Sequence, residues 1–313
     1  MPLPFPPDHI NLWMIEDGAG WTIVDTGLAR DDSRAVWESA FARLAVNRPV
    51  TRVICTHFHP DHMGLAAWLT ERWQVDLWMT SAEWYMARAI HALGSPADIA
   101  QKVAFYRDNG VAEDGLGAFG QPENLYRRGV PEVPASFRRI GGGDPLRIGT
   151  HDWIPVIGRG HCPEHACLWA PTLNVLIAGD ILLPRISPNV SVWPAEPHAN
   201  PLAAYLGSLG NFASITDDAL TLPAHGLPYR GVHSRIAQLR AHHRDGLDAL
   251  AGALTTEGLR ATDVFALLFK RAIGPHNIGL AIGEALAHLH FLETLGRARR
   301  VRDAAGVWRF ARP

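Results

Sequence analysis

The sequence predicts a mixed α/β (α+β) fold, in which helices pack on a sheet, followed by a helical C-terminal unit. Short apolar, β-branched runs alternate with segments of helical spacing as far as residue 222, and hairpin signals occur among them. From residue 233 onward, long helical patterns dominate. Hydrophobic residues make up 47% of the 313 residues and charged residues 19%, so the chain can bury a sizeable core.

The N-terminal elements follow from residue spacing and from turn signals. Asp17-Gly18-Ala19-Gly20 separates two apolar runs and indicates a hairpin, and the acidic start at Asp31 favours a helix. In chain order, the predicted elements are a hairpin of 11–15 and 21–25, a helix over 31–44, a strand over 50–56, a helix over 63–73, a strand over 76–80, and helices over 81–92 and 96–109.

Residues 110–145 are rich in Gly, Pro and Arg and indicate an irregular insertion. After it, we predict strands over 146–149, 153–157, 166–170 and 175–178, a helix over 201–212 and a strand over 219–222. The C-terminal part has predicted helices over 233–252, 262–271 and 278–295 and a hairpin of 297–300 and 307–310. Helices followed by a small hairpin are typical of a winged-helix-like unit. We therefore predict two domains, 1–232 and 233–313.

The bulk composition disfavours several function classes. A formal net charge of −2 gives no general attraction to nucleic acid or to anionic membranes. The three cysteines form no Cys-x-x-Cys pair, which suits a reducing compartment. The N-terminus lacks the pattern of a signal peptide, and no stretch approaches the roughly 20 apolar residues of a membrane span. The sequence thus predicts a cytoplasmic protein without a membrane partner.

The stretch from residue 57 to residue 62 carries the strongest chemical signal. It reads His57-Phe58-His59-Pro60-Asp61-His62 and directly follows the predicted strand over 50–56. Imidazole and carboxylate groups hold Zn, Fe or Mn, and such metals make hydroxide from water near neutral pH. We predict that these histidines and Asp61 are metal ligands.

Further candidate ligands also follow strand-like runs. His161 lies in Gly-His-Cys-Pro-Glu-His, Asp180 in Ala-Gly-Asp, and His225 in Ala-His-Gly. Asp25, in Val-Asp-Thr-Gly, lies at another predicted strand end and is a candidate carboxylate behind the ligands. A structural turn cap is the alternative role for Asp25.

Taken in order, these five motifs resemble those of the metallo-β-lactamase-fold hydrolase superfamily across residues 23–226. The resemblance implies an αββα sandwich with two metal ions in a cleft at the edge of the sheets. It also implies a ligand partition: His57, His59 and His161 on one metal, Asp61, His62 and His225 on the other, and Asp180 between them. In this interpretation a metal-bound hydroxide attacks the substrate, Asp61 orients it, and Asp25 holds a ligand imidazole.

The resemblance leaves the substrate open. We expect a carboxylic thioester or ester, as for glyoxalase II-like and acyl-thioesterase relatives, and thus a small-molecule acyl substrate. A phosphodiesterase or ribonuclease of the same fold is the alternative, which the near-neutral charge disfavours, and a non-catalytic metal-binding protein is the third interpretation. Two divalent ions are expected, with zinc first and iron or manganese as alternatives. Apolar faces of the C-terminal helices allow a homodimer.

Several residues near these motifs have no assigned role from the sequence. Glu164 stands where relatives usually carry Gly, so its carboxylate either approaches the site or points outward. His165 is interpreted as a residue behind the ligands, and Cys162 as a core residue. The arginines from Arg297 to Arg302 form either a solvated hairpin face or a phosphate contact. Residues 184–193 and the insertion around residues 105–107 are the candidate substrate loops.

Overall fold

The first of two five-stranded sheets carries the motifs at 23–26 and 56–62. The computed structural model describes residues 1–270, 272–274 and 277–313. The strand order is β1-β2-β3-β4-β5, with β1 antiparallel to β2 and the other neighbours parallel. The strands are β1 Trp13–Asp17, β2 Gly20–Val24, β3 Val50–Ile54, β4 Leu77–Met79 and β5 Arg138–Arg139.

The second sheet carries the remaining motifs. Its order is β10-β9-β8-β7-β6, with β10 parallel to β9 and the other neighbours antiparallel. The strands are β6 Leu146–Ile148, β7 His151–Gly158, β8 His165–Ala170, β9 Val175–Gly179 and β10 Leu220–Pro223. A separate hairpin consists of β11 Arg299–Arg302 and β12 Trp308–Ala311.

In chain order, helices precede, separate and follow these strands. The α-helices are α1 Asp31–Leu44, α2 Pro60–Met63, α3 Ala66–Trp73, α4 Ser81–Ala92, α5 Pro96–Asp108, α6 Leu125–Gly129, α7 Pro201–Ser208, α8 Val232–Ala253, α9 Phe265–Leu268 and α10 Ile278–Thr294. Short 3-10 helices cover Glu113–Ala118, Leu209–Phe212 and Ala261–Val264. None of the helices in the described parts of the chain combines the length and the apolar character needed to cross a bilayer.

The two sheets pack face to face through an apolar layer. Val24 and Ile54 of the first sheet share one buried cluster with Leu168 and Ile177 of the second. Such burial contributes about 1.5–3 kcal/mol for each large side chain. On the other face of the first sheet, a second cluster joins the strands to Trp37 of α1 and to residues of α3 and α4. The packing fixes the carboxyl ends of the strands, where the candidate ligands follow.

Contacts divide the chain into two compact units. The first unit comprises Met1–Leu93, Asn124–Pro188 and Ser208–Arg235, and contains both sheets. The second comprises Gly94–Glu123, Asn189–Gly207 and Ile236–Pro313. This grouping by contact does not test the predicted chain boundary between residues 232 and 233, which stays a prediction.

Within the second unit, buried histidines join two helices. Nδ1 of His243 on α8 lies 3.2 Å from Nε2 of His288 on α10. Nδ1 of His288 lies 2.9 Å from the carbonyl oxygen of Glu284 and can donate to it, so His288 must accept through Nε2. Burial lowers the pKa of His243 to about 3 and that of His288 to about 4, which keeps the pair neutral.

Most elements agree with the sequence predictions, including the mixed α/β class. Helices α1 and α4 have the predicted bounds. Other predictions need correction. The expected helix over 262–271 is a 3-10 turn followed by α9, which ends at Leu268. Residue 271 of that prediction lies outside the described residues. The helix expected over 63–73 begins at Ala66, as α3, and the insertion expected to be irregular contains α6 and β5. The hairpin expected at the C-terminus is present as β11 and β12.

Candidate metal centre

Four candidate ligands converge on one point in the first unit. They follow the carboxyl ends of β3, β7 and β9, and their donor atoms all lie within 4.8 Å of one another: His57, His59, His161 and Asp180. Nε2 of His57 lies 2.8 Å from Nδ1 of His59 and 3.3 Å from Nε2 of His161. We call these four residues the first donor group.

Three further candidate ligands converge beside them. Donor atoms of Asp61, His62 and His225 also lie within 4.8 Å of one another, and we call these residues the second donor group. Oδ2 of Asp61 lies 3.4 Å from Nε2 of His225 and 3.7 Å from Nε2 of His62. The structure thus brings together all seven residues that the sequence predicts as ligands.

Asp180 approaches both donor groups. Its Oδ2 lies 3.3 Å from Nε2 of His161 in the first group and 3.4 Å from Nε2 of His62 in the second. Its Oδ1 lies 3.4 Å from Nε2 of His225. The side chain of Asp180 is 9% exposed, so this carboxylate lies among these three imidazoles with little contact with water.

The residues present fit a metal ion. Nε2 of His62 and Oδ1 of Asp180 are buried and make no hydrogen bond, which is a costly arrangement without a ligand between them. Burial, reinforced by the charge of His161, lowers the pKa of His59 to about 3, and burial likewise lowers the pKa of His57 well below its usual value. Neutral imidazoles with free lone pairs, next to carboxylates, are the donors that divalent metals take in proteins.

Asp25 contacts the candidate ligand His62 on the side away from the other donors. It follows β2 with a φ of 62°, and its carboxylate is buried. Oδ2 lies 2.8 Å from Nδ1 of His62, while Oδ1 accepts the backbone N–H of Thr56 at 2.7 Å. The contact with Asp25 turns Nε2 of His62 toward the other residues of the second donor group. Although burial disfavours the charged imidazole, Asp25 and the other nearby carboxylates raise the pKa of His62 well above its usual value.

His225 is oriented by the backbone. Its Nδ1 lies 2.7 Å from the carbonyl oxygen of His9 and can donate to it, so Nε2 faces Asp61. Asn11 ties this N-terminal segment to the loop, since its amide donates to the carbonyl of Gly226 at 2.7 Å. The sequence offers no signal for this contact, because a backbone carbonyl is present at every residue.

His165 lies behind the ligands rather than among them. It is fully buried, its Nε2 accepts the backbone N–H of Asp180 at 3.1 Å, and its ring stacks on His57 with centroids 4.8 Å apart. Gly179 makes room for this ring, because a Cβ at that position would lie 2.3 Å from Cε1 and Nε2 of His165. His165 thereby holds the backbone that presents Asp180.

The other residues that the sequence left open have partners in the structure. The Glu164 side chain pairs with Arg159 at 2.8 Å. Cys162 is buried. The arginines of the C-terminal hairpin region contact acidic or backbone groups: Arg297 with Asp248, Arg299 with the carbonyl of Arg312, Arg300 with Glu293, and Arg302 with Asp108. These contacts favour a structural role for that basic group.

Sequence reasoning missed Glu83, a buried carboxylate on α4. Its two oxygens accept backbone N–H groups from Phe58 and Glu164, which lie in the two loops that carry His57, His59 and His161. An acidic residue in the first turn of a helix is common, so the sequence gives no reason to single it out.

We expect the exchange Asp25→Asn to weaken metal binding. The amide can accept from either His62 or Thr56 but loses the charge that holds His62, so ion affinity should fall by about 10–100-fold. Titration against a chromophoric chelator measures the change. Asp17→Asn is the control, because Asp17 makes comparable hydrogen bonds near the opposite end of β2. Equal affinities of the native chain and the Asp25 variant would contradict the role.

Comparisons with known proteins agree with this geometry. Residues 5–225 match the family model of the metallo-beta-lactamase superfamily, and residues 247–313 match the model of the metallo-beta-lactamase-like C-terminal domain. A beta-lactamase domain protein from Burkholderia ambifaria is 43% identical, with a TM-score of 0.91, over 100% of this chain and 90% of that one.

Two further proteins are similar over nearly the whole chain. A metallo-beta-lactamase family protein from Thermus thermophilus is 26% identical, with a TM-score of 0.83, over 100% of this chain and 97% of that one. The probable metallo-hydrolase YqjP of Bacillus subtilis (strain 168) is 24% identical over 302 residues, which is 94% of this chain and 90% of that protein. With all seven candidate ligands inside the first matched range, the chain belongs to the metallo-beta-lactamase superfamily.

Proposed function

We propose that this metallo-hydrolase uses two divalent metal ions to hydrolyse a carboxylic thioester or ester. The position of Asp180 carries the proposal for two ions. One carboxylate lies within 3.4 Å of imidazoles from both donor groups, as an oxygen ligand shared by two neighbouring ions would.

The first donor group would hold one ion and the second donor group the other. When bound, such ions supply Lewis acidity, which stabilises negative charge on a reacting oxygen and eases the deprotonation of water. Donor sets made only of nitrogen and oxygen suit zinc, iron and manganese, and we propose zinc first.

Asp61 is the carboxylate of the site that is best placed to contact the attacking water. Its side chain is 15% exposed, against 9% for Asp180 and 2% for Asp25, so it is the most accessible of the three carboxylates. The charges of His62 and His225 hold its pKa below the usual value against burial, so it is ionised at neutral pH. An ionised carboxylate accepts a hydrogen bond, and we assign to Asp61 the orientation of the attacking water.

The segment after β9 supports an acyl substrate. Arg185 and Ile186, in the first unit, are exposed, with Ile186 at 51%. A cation beside an apolar side chain suits an acyl group with an anionic handle. In the other candidate loop, around residues 105–107, Phe105 and Tyr106 are buried. The rings of Tyr106 and Phe119 stack with centroids 3.7 Å apart, so these two side chains pack in the interior instead of lining a substrate site.

A sulfate ester is the second candidate substrate. A linear primary-alkylsulfatase from Pseudomonas is 24% identical over 75% of this chain, although the match spans 44% of that enzyme. Hydrolysis of a sulfate ester and hydrolysis of a carboxylic ester or thioester release different leaving groups. Both reactions require the stabilisation of negative charge on oxygen.

A panel of substrates with metal analysis tests the proposal. The metal-loaded protein is assayed with an acyl-CoA, a lactoyl thioester, p-nitrophenyl acetate, a primary alkyl sulfate below its micellar concentration, bis-p-nitrophenyl phosphate and RNA. We expect two ions per chain and hydrolysis of a thioester or ester, in which water adds to the carbonyl carbon and the thiol or alcohol leaves. Cleavage confined to the sulfate, to the phosphodiester or to RNA would overturn the substrate assignment.

The exchange His59→Ala is expected to abolish this hydrolysis, because it removes a nitrogen of the first donor group. His151→Ala is the control, since Nδ1 of His151 on β7 lies 2.9 Å from Oγ1 of Thr172 and the residue belongs to neither donor group. If the protein binds metal but no reaction responds to His59→Ala, the chain is a non-catalytic metal-binding protein.

A further inference from the structure

The carboxylate of Glu83 is buried, and no Lys or Arg pairs with it in the parts of the chain that the structure describes. The residue lies in the first turn of α4 and is 0% exposed. A buried carboxylate is costly unless hydrogen bonds satisfy its oxygens. The partners that satisfy Glu83 therefore indicate what keeps this residue in the core.

Both oxygens accept backbone N–H groups from loops of the first donor group. Oε2 accepts from Phe58 at 3.0 Å, and Oε1 accepts from Glu164 at 2.6 Å. Phe58 lies between His57 and His59, and Glu164 lies three residues after His161. When the carboxylate is ionised both contacts are charge-assisted, and hydrogen bonds of that kind are roughly twice as strong as those between neutral groups.

One side chain thus fixes two loops that are about 100 residues apart in sequence and that carry three of the four donors of the first donor group. The second donor group has other supports, since Asp25 contacts His62 and the His9 carbonyl contacts His225.

We propose that Glu83 is a positioning residue that joins the two ligand loops and sets the ion affinity of the first donor group. The inference rests on the proposed metal site but not on the identity of the substrate. Glu83 touches neither the ions nor the substrate, and acts through the backbone on either side of Phe58 and at Glu164.

A graded pair of variants tests this role. Glu83→Gln keeps one acceptor oxygen but turns an amide NH₂ toward one of the two backbone N–H groups, so it breaks one link. Glu83→Ala breaks both. Ala87→Gly is the matched control: it weakens the same helix at a fully buried position that contacts neither loop through a side-chain hydrogen bond.

The metal-free proteins are titrated with Co²⁺, and the visible absorption of the bound ion monitors each binding step. Urea unfolding of the same samples measures their stability. We expect one binding step to weaken by about 10-fold in Glu83→Gln and about 100-fold in Glu83→Ala, and the other step to change less than about 3-fold. The Co²⁺ spectrum of the weakened step should also change, which a loss of stability alone would not cause. The Ala87→Gly control should unfold more easily but bind as the native chain does.

Two results would overturn the positioning role: unchanged Co²⁺ affinity in both Glu83 variants, or an equal loss at both steps. If Glu83→Ala does not fold, the isosteric Glu83→Gln variant decides by itself. Failure of the proposed metal site is a separate outcome, because the native chain would then bind no Co²⁺ at all.

Discussion

Exchange of Asp180 for asparagine is expected to lower the affinity for divalent ions by at least about 100-fold, the upper end of what loss of an outer contact causes. The carboxylate lies 3.3–3.4 Å from nitrogens of His161, His62 and His225. An amide has the same shape but carries no charge, and its NH₂ offers no lone pair to an ion. Hydrolase activity should be lost in parallel.

Thermal unfolding at a fixed free ion concentration measures the Asp180 effect without a substrate. A concentration 100 times Kd stabilises the native chain by about 2.7 kcal/mol, and at a 100-fold weaker site the same concentration stabilises by less than about 1 kcal/mol. Asp152→Asn is the control, because Asp152 is 56% exposed and paired with Arg147. Retention of ion-induced stabilisation by the Asp180 variant would exclude a shared carboxylate.

The exchange Gly179→Ala is expected to destabilise the protein by about 2–5 kcal/mol, even without metal. The left-handed backbone at φ 51° costs a non-glycine residue about 1–2 kcal/mol, and overpacking of a buried site costs about 1–3 kcal/mol more. The new methyl group would lie 2.3 Å from the buried ring of His165. Displacement of that ring also removes the acceptor of the Asp180 N–H, so metal affinity should fall with stability.

Urea unfolding of the chelator-treated protein separates the two costs of this substitution. Gly18→Ala is the matched control, because Gly18 has a similar φ of 63° but nothing within 4 Å of the added Cβ. The free energy of unfolding of the Gly18→Ala control should fall only by the cost of the left-handed backbone. If both variants lose the same free energy of unfolding, contact with His165 does not explain the glycine at position 179.

Local signals in the sequence account for most elements and for all seven candidate ligands. Helices α1 and α4 could be predicted to the residue because acidic starts and apolar spacing mark them within one segment. The ligands follow strand ends, and imidazole-rich motifs are rare enough to stand out. The prediction over 262–271 failed because 3-10 and α-helical turns share much the same apolar spacing.

Features that depend on distant contacts could not be predicted. Glu83 has the same sequence environment as any acidic residue in a first helical turn, and its partners lie 25 and 81 residues away. Likewise, the grouping of residues 94–123 and 189–207 with the C-terminal part is a property of packing. Neither composition nor periodicity changes where those segments begin.

The positions of the donors along the chain also determine the order in which the two donor groups are completed during synthesis. The first donor group is complete in sequence once Asp180 has been translated, whereas the second waits 45 residues more for His225. A nascent chain thus contains all the donors proposed for one ion before it contains those proposed for the other. His225 lies two residues after β10, which pairs with β9, so pairing of the last strand and completion of the second donor group coincide. Ion uptake at that group would therefore report that the last strand of the second sheet has been added.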